Sequence, residues 1–147
     1  MESCNCSKMS VTPLSASYST VESAVNEAAN QAVHAYCQGT FSVGGVMLDN
    51  AGNVINALHN NVVENNMTFD PTAHGERQLI DWYYGQVAQG VLLPAPEDNT
   101  IVTSLDPCCM CSVSILTGGA TLFLRRSILF QVSITIRKQI FLRWQVP

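Results

Sequence analysis

The sequence predicts an α/β fold in which helices pack on a mixed β-sheet. The first observation is the order of the predicted elements over residues 20–119, which is helix, strand, strand, helix, strand, helix. The second is that a short polar turn joins the first two strands, as in an antiparallel hairpin. The later strand then alternates with helices, which is typical of crossover connections. A hairpin followed by crossovers indicates both strand directions in one sheet.

The first half of the chain holds one helix and the hairpin. Residues 20–38 carry apolar side chains at helical spacing, and Gly39 is a typical helix stop. Phe41–Leu48 is an apolar strand, Asp49–Asn53 is rich in turn residues, and Val54–Leu58 is the returning strand.

Two Asp-Pro pairs mark helix starts in the second half. Asp70-Pro71 predicts a helix with Asp70 as its cap and proline at its first position. The predicted buried face of that helix is Leu79, Ile80, Tyr83, Tyr84 and Val87. Ile101–Leu105 is a short apolar strand, and Asp106-Pro107 opens a helix that ends near Gly118.

The two ends of the chain differ from its body. Residues 1–17 are Ser-rich and are interpreted as a loose leader before a folded domain at 18–120. Residues 121–147 form an atypical basic tail without Asp, Glu or Gly, although the whole chain has a net charge of −4. A divergent ending or a shifted reading frame would explain this change. A basic tail can bind nucleic acid or phosphate, but a solvated, irregular C-terminus is the preferred interpretation.

Composition narrows the class of protein. Hydrophobic residues make up 47% of the 147 residues and charged residues 12%, against about 25% charged in typical soluble proteins. The low fraction of charged residues suggests that part of the surface is buried in an oligomer. No uncharged apolar run approaches the roughly 18 residues of a membrane helix, and the N-terminus lacks a signal-peptide core, so a cytoplasmic location is expected. Six cysteines then indicate metal or thiol chemistry rather than a disulfide framework.

Two short motifs carry the predicted chemistry. His74-Gly75-Glu76 and Pro107-Cys108-Cys109-Met110-Cys111 supply His74, Cys108 and Cys111 as three candidate zinc ligands. Zinc usually takes four ligands, so one position would remain for water. Glu76 is a free carboxylate beside that position, which is the equipment for activating water and moving protons.

Here the sequence resembles the cytidine/deoxycytidylate deaminase superfamily of zinc hydrolases, whose signature is H-x-E followed by P-C-x-x-C. The segment from Asp70 to Glu76 is similar to guanine deaminases and bacterial tRNA adenosine deaminases, and its central glycine is similar to fungal cytosine deaminases. The resemblance implies a three-layer α/β/α fold with a mixed sheet of about five strands, and assembly into dimers or tetramers. It also implies an asparagine after the second strand that holds the base; Asn60 is the first candidate and Asn61 the second.

The predicted function is a zinc-dependent deaminase that releases ammonia from a nucleobase, nucleoside or nucleotide, with a free base such as guanine or cytosine favoured. One alternative is a catalytically impaired remnant, or a structural zinc module that associates with partners. A tRNA adenosine deaminase is a further alternative. It is less favoured because the acidic body of the chain would repel RNA.

Overall fold

The computed structural model describes residues 20–63 and 69–124. The predicted leader at 1–17 and the tail beyond residue 124 lie outside these ranges. The described elements are α1 (Thr20–Cys37), β1 (Gly44–Leu48), β2 (Val54–His59), α2 (Gly75–Ala88), a 3-10 turn (Pro96–Asp98), β3 (Thr100–Thr103), α3 (Cys109–Thr117) and β4 (Thr121–Leu124). The predicted order of helices and strands up to residue 119 is confirmed.

The sheet is mixed, as predicted. Its strand order is β2-β1-β3-β4. β1 runs antiparallel to both β2 and β3, whereas β3 and β4 are parallel. The described ranges contain four strands where about five were expected. β4 begins immediately after the boundary predicted at residue 120, so the first residues of the tail segment complete the parallel pair.

Helices cover both faces of the sheet. All five residues of β1 are buried, and the side chains of its last three residues alternate between two cores. Val46 and Leu48 pack with Ala24 and Ala28 of α1 on one face. Met47 packs with Leu79 of α2 on the other, in a core that α3 completes through Ile115. The result is the predicted three-layer α/β/α arrangement.

α1 lies unusually close to β1 at Gly44. A Cβ atom at this position would lie 2.3 Å from the Ala28 carbonyl oxygen and 2.4 Å from Gln31 Cβ. No side chain fits there without displacing the helix, so the glycine is a packing requirement.

The predicted start of α2 is wrong. Helix α2 begins at Gly75 rather than at Asp70-Pro71, because Asp70 closes a turn of its own. Its Oδ1 accepts hydrogen bonds from the backbone N–H and the hydroxyl of Thr72, at 2.8 and 2.7 Å. Such local side-chain bonds compete with helix formation. The next helix also starts later than predicted, since Cys108 is the N-cap of α3.

The predicted buried face of α2 is partly wrong. Leu79, Ile80 and Tyr83 are in the core, whereas Tyr84 and Val87 are 43% and 44% exposed. The later helix start does not change helical spacing. Tyr84 and Val87 are exposed because the sheet and α3 cover only a narrow stripe of α2.

Across the described ranges, no helix combines the length and apolar character that crossing a membrane requires.

Candidate metal centre and active site

The three predicted zinc ligands converge at the beginnings of two helices. His74 is the N-cap of α2, Cys108 is the N-cap of α3, and Cys111 lies in the first turn of α3. Cys108 Sγ lies 3.7 Å from His74 Nδ1 and 3.6 Å from Cys111 Sγ. The three ligand atoms all lie within 4.8 Å of one another. The structure therefore brings together residues that are far apart in the sequence.

The spacing of these atoms fits a tetrahedral zinc ion. Zinc–sulfur bonds of about 2.3 Å and zinc–nitrogen bonds of about 2.0 Å at tetrahedral angles place two sulfur ligands about 3.8 Å apart and a sulfur and a nitrogen ligand about 3.5 Å apart. The distances from Cys108 Sγ to His74 Nδ1 and to Cys111 Sγ, 3.7 and 3.6 Å, are close to these values. One nitrogen and two sulfur ligands would fill three corners of the zinc tetrahedron and leave the fourth corner for water or substrate.

The position of the centre follows from the fold. α3 follows the carboxyl end of β3, which lies parallel to β4. Ligand sites in α/β proteins form at this end of parallel strands, where helix N-termini point towards the site. The N-terminal ends of α2 and α3 also favour negative charge, so they help to hold thiolates and a carboxylate there.

Glu76 is buried beside the three ligands. Its side chain is 2% exposed, and its Oε2 lies 3.5 Å from Cys111 Sγ. Burial raises the pKa of the Cys111 thiol, and the nearby Glu76 carboxylate and Cys108 raise it further. In the metal-free protein this thiol therefore stays protonated at neutral pH, and a metal must displace its proton to bind.

The site is open on one side. Cys108 is exposed, His74 is half-buried and Cys111 is buried. Cys109, which separates the two ligands in the sequence, is exposed, so it is a natural control for substitutions of Cys108.

The central glycine of the first motif has a packing reason. A Cβ at Gly75 would lie 3.1 Å from the Leu58 carbonyl oxygen and 3.5 Å from the Gly45 nitrogen. The absence of a side chain at Gly75 lets the start of α2 pack closely against the ends of β1 and β2. The first metal ligand therefore sits directly beside the segment that carries the predicted substrate-binding asparagines.

Asn60 is buried at the end of β2, with 2% exposure. Its Oδ1 accepts hydrogen bonds from the Thr40 hydroxyl at 2.8 Å and from the Val62 N–H at 3.0 Å. A backbone N–H can only donate, so the amide oxygen must face Val62. Among the described residues, Asn60 Nδ2 has no hydrogen-bond partner, so the group that this side chain can offer is a donor.

Asn61 is engaged differently. Its backbone N–H donates to the Ala73 carbonyl at 2.8 Å, and its Nδ2 donates to Gln78 Oε1 at 3.3 Å. Within the described ranges its Oδ1 is buried without a partner. The amide nitrogen of Asn61 is thus occupied by the protein itself, unlike that of Asn60.

Sequence reasoning missed Thr40 and Gln78. Thr40 is buried and orients Asn60, and Gln78 connects Asn61 to the segment before α2. Neither residue belongs to a motif. The signal that reveals them is their hydrogen bonding in three dimensions, which the sequence does not contain.

Taken together, the fold and the site define a class of α/β proteins in which one histidine and two cysteines meet beside a buried glutamate at the N-termini of two helices. The family described as "Cytidine and deoxycytidylate deaminase zinc-binding region" matches residues 18–123. The chain belongs to this family, as the sequence motifs predicted.

The solved structures that are similar to this chain include the following two. One comes from studies of A-to-I editing by tRNA:A34 deaminases at the wobble position of transfer RNA. It has 26% sequence identity and a TM-score of 0.58 over 72% of this chain and 76% of that one. The other is a guanine deaminase from Bacillus subtilis, with 23% identity and a TM-score of 0.56 over 84% of this chain and 92% of that one. No curated protein sequence matches the chain significantly.

Proposed function

We propose that this protein is a zinc-dependent hydrolytic deaminase that releases ammonia from the exocyclic amine of a nucleobase, nucleoside or nucleotide. The observation that carries the proposal is the convergence of three ligand atoms within 4.8 Å of one another beside the buried carboxylate of Glu76. A structural zinc site is closed by a fourth protein ligand, whereas residues 20–63 and 69–124 offer three ligands in this cluster beside a carboxylate, a set that suits catalysis.

His74, Cys108 and Cys111 would hold the zinc ion. A bound zinc ion would supply Lewis-acid activation of a water molecule by lowering the pKa of that water. Glu76 accepts a proton from the attacking water and passes it to a ring nitrogen. The water oxygen bonds to the amine-bearing carbon, and Glu76 then moves the remaining proton of that oxygen to the exocyclic nitrogen. The carbon–nitrogen bond breaks, ammonia leaves and a carbonyl group remains, so one carboxylate acts first as base and then as acid.

Asn60 would orient the substrate through its Nδ2. Because Thr40 and Val62 occupy the amide oxygen, Asn60 would donate to a carbonyl oxygen or an unprotonated ring nitrogen of the base. Asn61 is the weaker candidate, since its amide nitrogen already donates to Gln78.

The favoured substrate is a free base of the guanine or cytosine type. The similarity of residues 70–76 to guanine deaminases supports it, as does the formal net charge of −4, which does not favour a polyanion. We place the enzyme in the cytoplasm, as a homodimer or homotetramer. The exposed apolar side chains Tyr84, Val87, Val113 and Leu116 on α2 and α3 support burial against another subunit.

A second candidate substrate is a tRNA adenosine. The 26% identity to the structure from the tRNA:A34 deaminase studies favours it. The five basic residues after residue 124 would be its means of holding phosphate. The third alternative is a deaminase-fold remnant or structural zinc module, which would bind zinc and turn over nothing.

The experiment is ammonia release by the zinc-loaded protein. The panel contains cytosine, guanine, adenine, cytidine, deoxycytidine, their monophosphates, and a tRNA anticodon stem-loop with adenosine at the wobble position. Turnover of one free base supports the favoured substrate class, and turnover of the stem-loop alone supports the second. One zinc per chain with no turnover on any member supports the remnant.

A further inference from the structure

Gln78 lies at the junction between the predicted zinc-binding segment and the predicted substrate-binding segment. It is half-buried in the first turns of α2, four residues after His74. Its Nε2 donates to the His59 carbonyl at 2.8 Å and to the Ala73 carbonyl at 3.0 Å. Its Oε1 accepts from Asn61 Nδ2 at 3.3 Å. One side chain thus bonds to both neighbours of Asn60 and to the residue before His74.

The backbone contacts show that these two segments run side by side. The Asn61 N–H donates to the Ala73 carbonyl at 2.8 Å. At Gly75 a Cβ would come within 3.4 Å of the His59 carbonyl carbon. The segment 59–61 and the segment 73–75 come from different elements, β2 and the start of α2. Residues 64–68 of the connection between them lie outside the described ranges.

The orientation of the Gln78 amide is defined by its partners. Both carbonyl oxygens can only accept, so the atom between them must be the nitrogen. The oxygen then faces Asn61, whose amide must donate with Nδ2. Glutamate could not replace glutamine here, because its carboxylate would meet two carbonyl oxygens.

We propose that Gln78 is a positioning residue that sets the distance between the metal ligand His74 and the substrate-orienting Asn60. This inference rests on the proposed function, since it assigns Asn60 to the substrate. Gln78 does not touch the reacting atoms. It holds the two segments in register, so that a base held by Asn60 presents its amine-bearing carbon to the metal centre.

The first test does not depend on activity. Gln78→Met preserves the length of the side chain and removes all three of its hydrogen bonds. We expect the backbone N–H of Asn61, which donates to the Ala73 carbonyl, to exchange at least about fivefold faster with solvent deuterium. A fivefold change corresponds to the loss of about one ordinary hydrogen bond. Gln89→Met is the matched control, because Gln89 also donates to a carbonyl but at the exposed far end of α2. Unchanged exchange at Asn61 in Gln78→Met overturns the proposal.

The second test uses the enzyme with its identified substrate. We expect Gln78→Met to keep one zinc per chain and to lower kcat/KM by about 10- to 100-fold, as losses of supporting contacts at metal sites do. If Gln78 acts by placing Asn60, its effect on kcat/KM disappears in an Asn60→Ala background. An equal effect in both backgrounds would mean a general structural role and overturn the proposal.

The failures of the two proposals are distinguishable. If the wild-type protein has no turnover on any substrate, the proposed function fails. The deuterium exchange of Asn61 then still decides whether Gln78 joins the two segments.

Discussion

Replacing Glu76 by glutamine separates catalysis from metal binding and from folding. The amide has the shape of the carboxylate, so the packing around this buried position is preserved. None of the three ligand atoms changes, and the variant should bind one zinc per chain. Only the ability to accept and return a proton is lost.

The expected magnitude follows from the geometry and the chemistry. A positioned general acid or base contributes about 10²- to 10⁴-fold in rate, which corresponds to about 3–5 kcal/mol of barrier. Glu76 would act in two proton transfers, so we expect the upper part of this range. The Cys111 thiol donates to Glu76 Oε2 at 3.5 Å, and the side-chain oxygen of glutamine can accept the same bond. The substitution should therefore leave Tm close to the wild-type value.

The assay measures ammonia release, zinc content and Tm on the same preparations. Glu97→Gln, an exposed acid in the 3-10 turn, is the matched control and should keep wild-type turnover. If Glu76→Gln retains more than about one tenth of wild-type kcat with a full complement of zinc, the role of Glu76 as proton carrier is wrong. A loss of zinc in this variant would show instead that the carboxylate is a metal ligand.

Three further results are expected. Gly44→Ala should lower the free energy of unfolding, measured in urea, by about 3 kcal/mol, because the added Cβ would overlap the backbone of α1. Gly85→Ala is the control: no atom lies within 4 Å of its added Cβ, so this variant should be neutral or slightly stabilised. Equal losses of stability in the two variants would contradict the packing argument. Cys108→Ala should abolish stoichiometric zinc binding by metal analysis, whereas Cys109→Ala should preserve it, so zinc retained by the first variant would refute the ligand assignment. The hydrogen bonds from Thr72 hold the pKa of Asp70 below its usual value of 3.8, so its contribution to stability is present above pH 3.8 and is lost as the pH falls through the lowered pKa. The difference in Tm between wild type and Asp70→Asn should therefore vanish in acid, and a difference that persists at all pH values would argue against this linkage.

The order of the elements was predictable because it depends on local patterns. Apolar periodicity, a polar turn at 49–53 and glycine stops specify helices and strands with little help from distant residues. The cluster of candidate metal ligands was predictable for a related reason. Zinc restricts the donors to a few residue types, and two ligands three positions apart at the start of α3 must share a face.

Helix boundaries were less predictable, because two local structures competed for the same residues. Asp70 was expected to cap α2, but its side chain bonds to Thr72 and closes a separate turn. Which alternative wins depends on where α2 must lie to place Leu79 in the core. That position is set by the sheet rather than by the Asp-Pro pair.

The sequence by itself determined the family and the candidate ligands, because these depend on residue types at short spacings. Only the tertiary structure decided how the site is built. It oriented the amide of Asn60 through Thr40, buried Glu76 against Cys111, and joined two segments through Gln78. These bonds connect residues from different elements. Their geometry depends on the packing of α1 and α2 against the sheet, which no local pattern encodes.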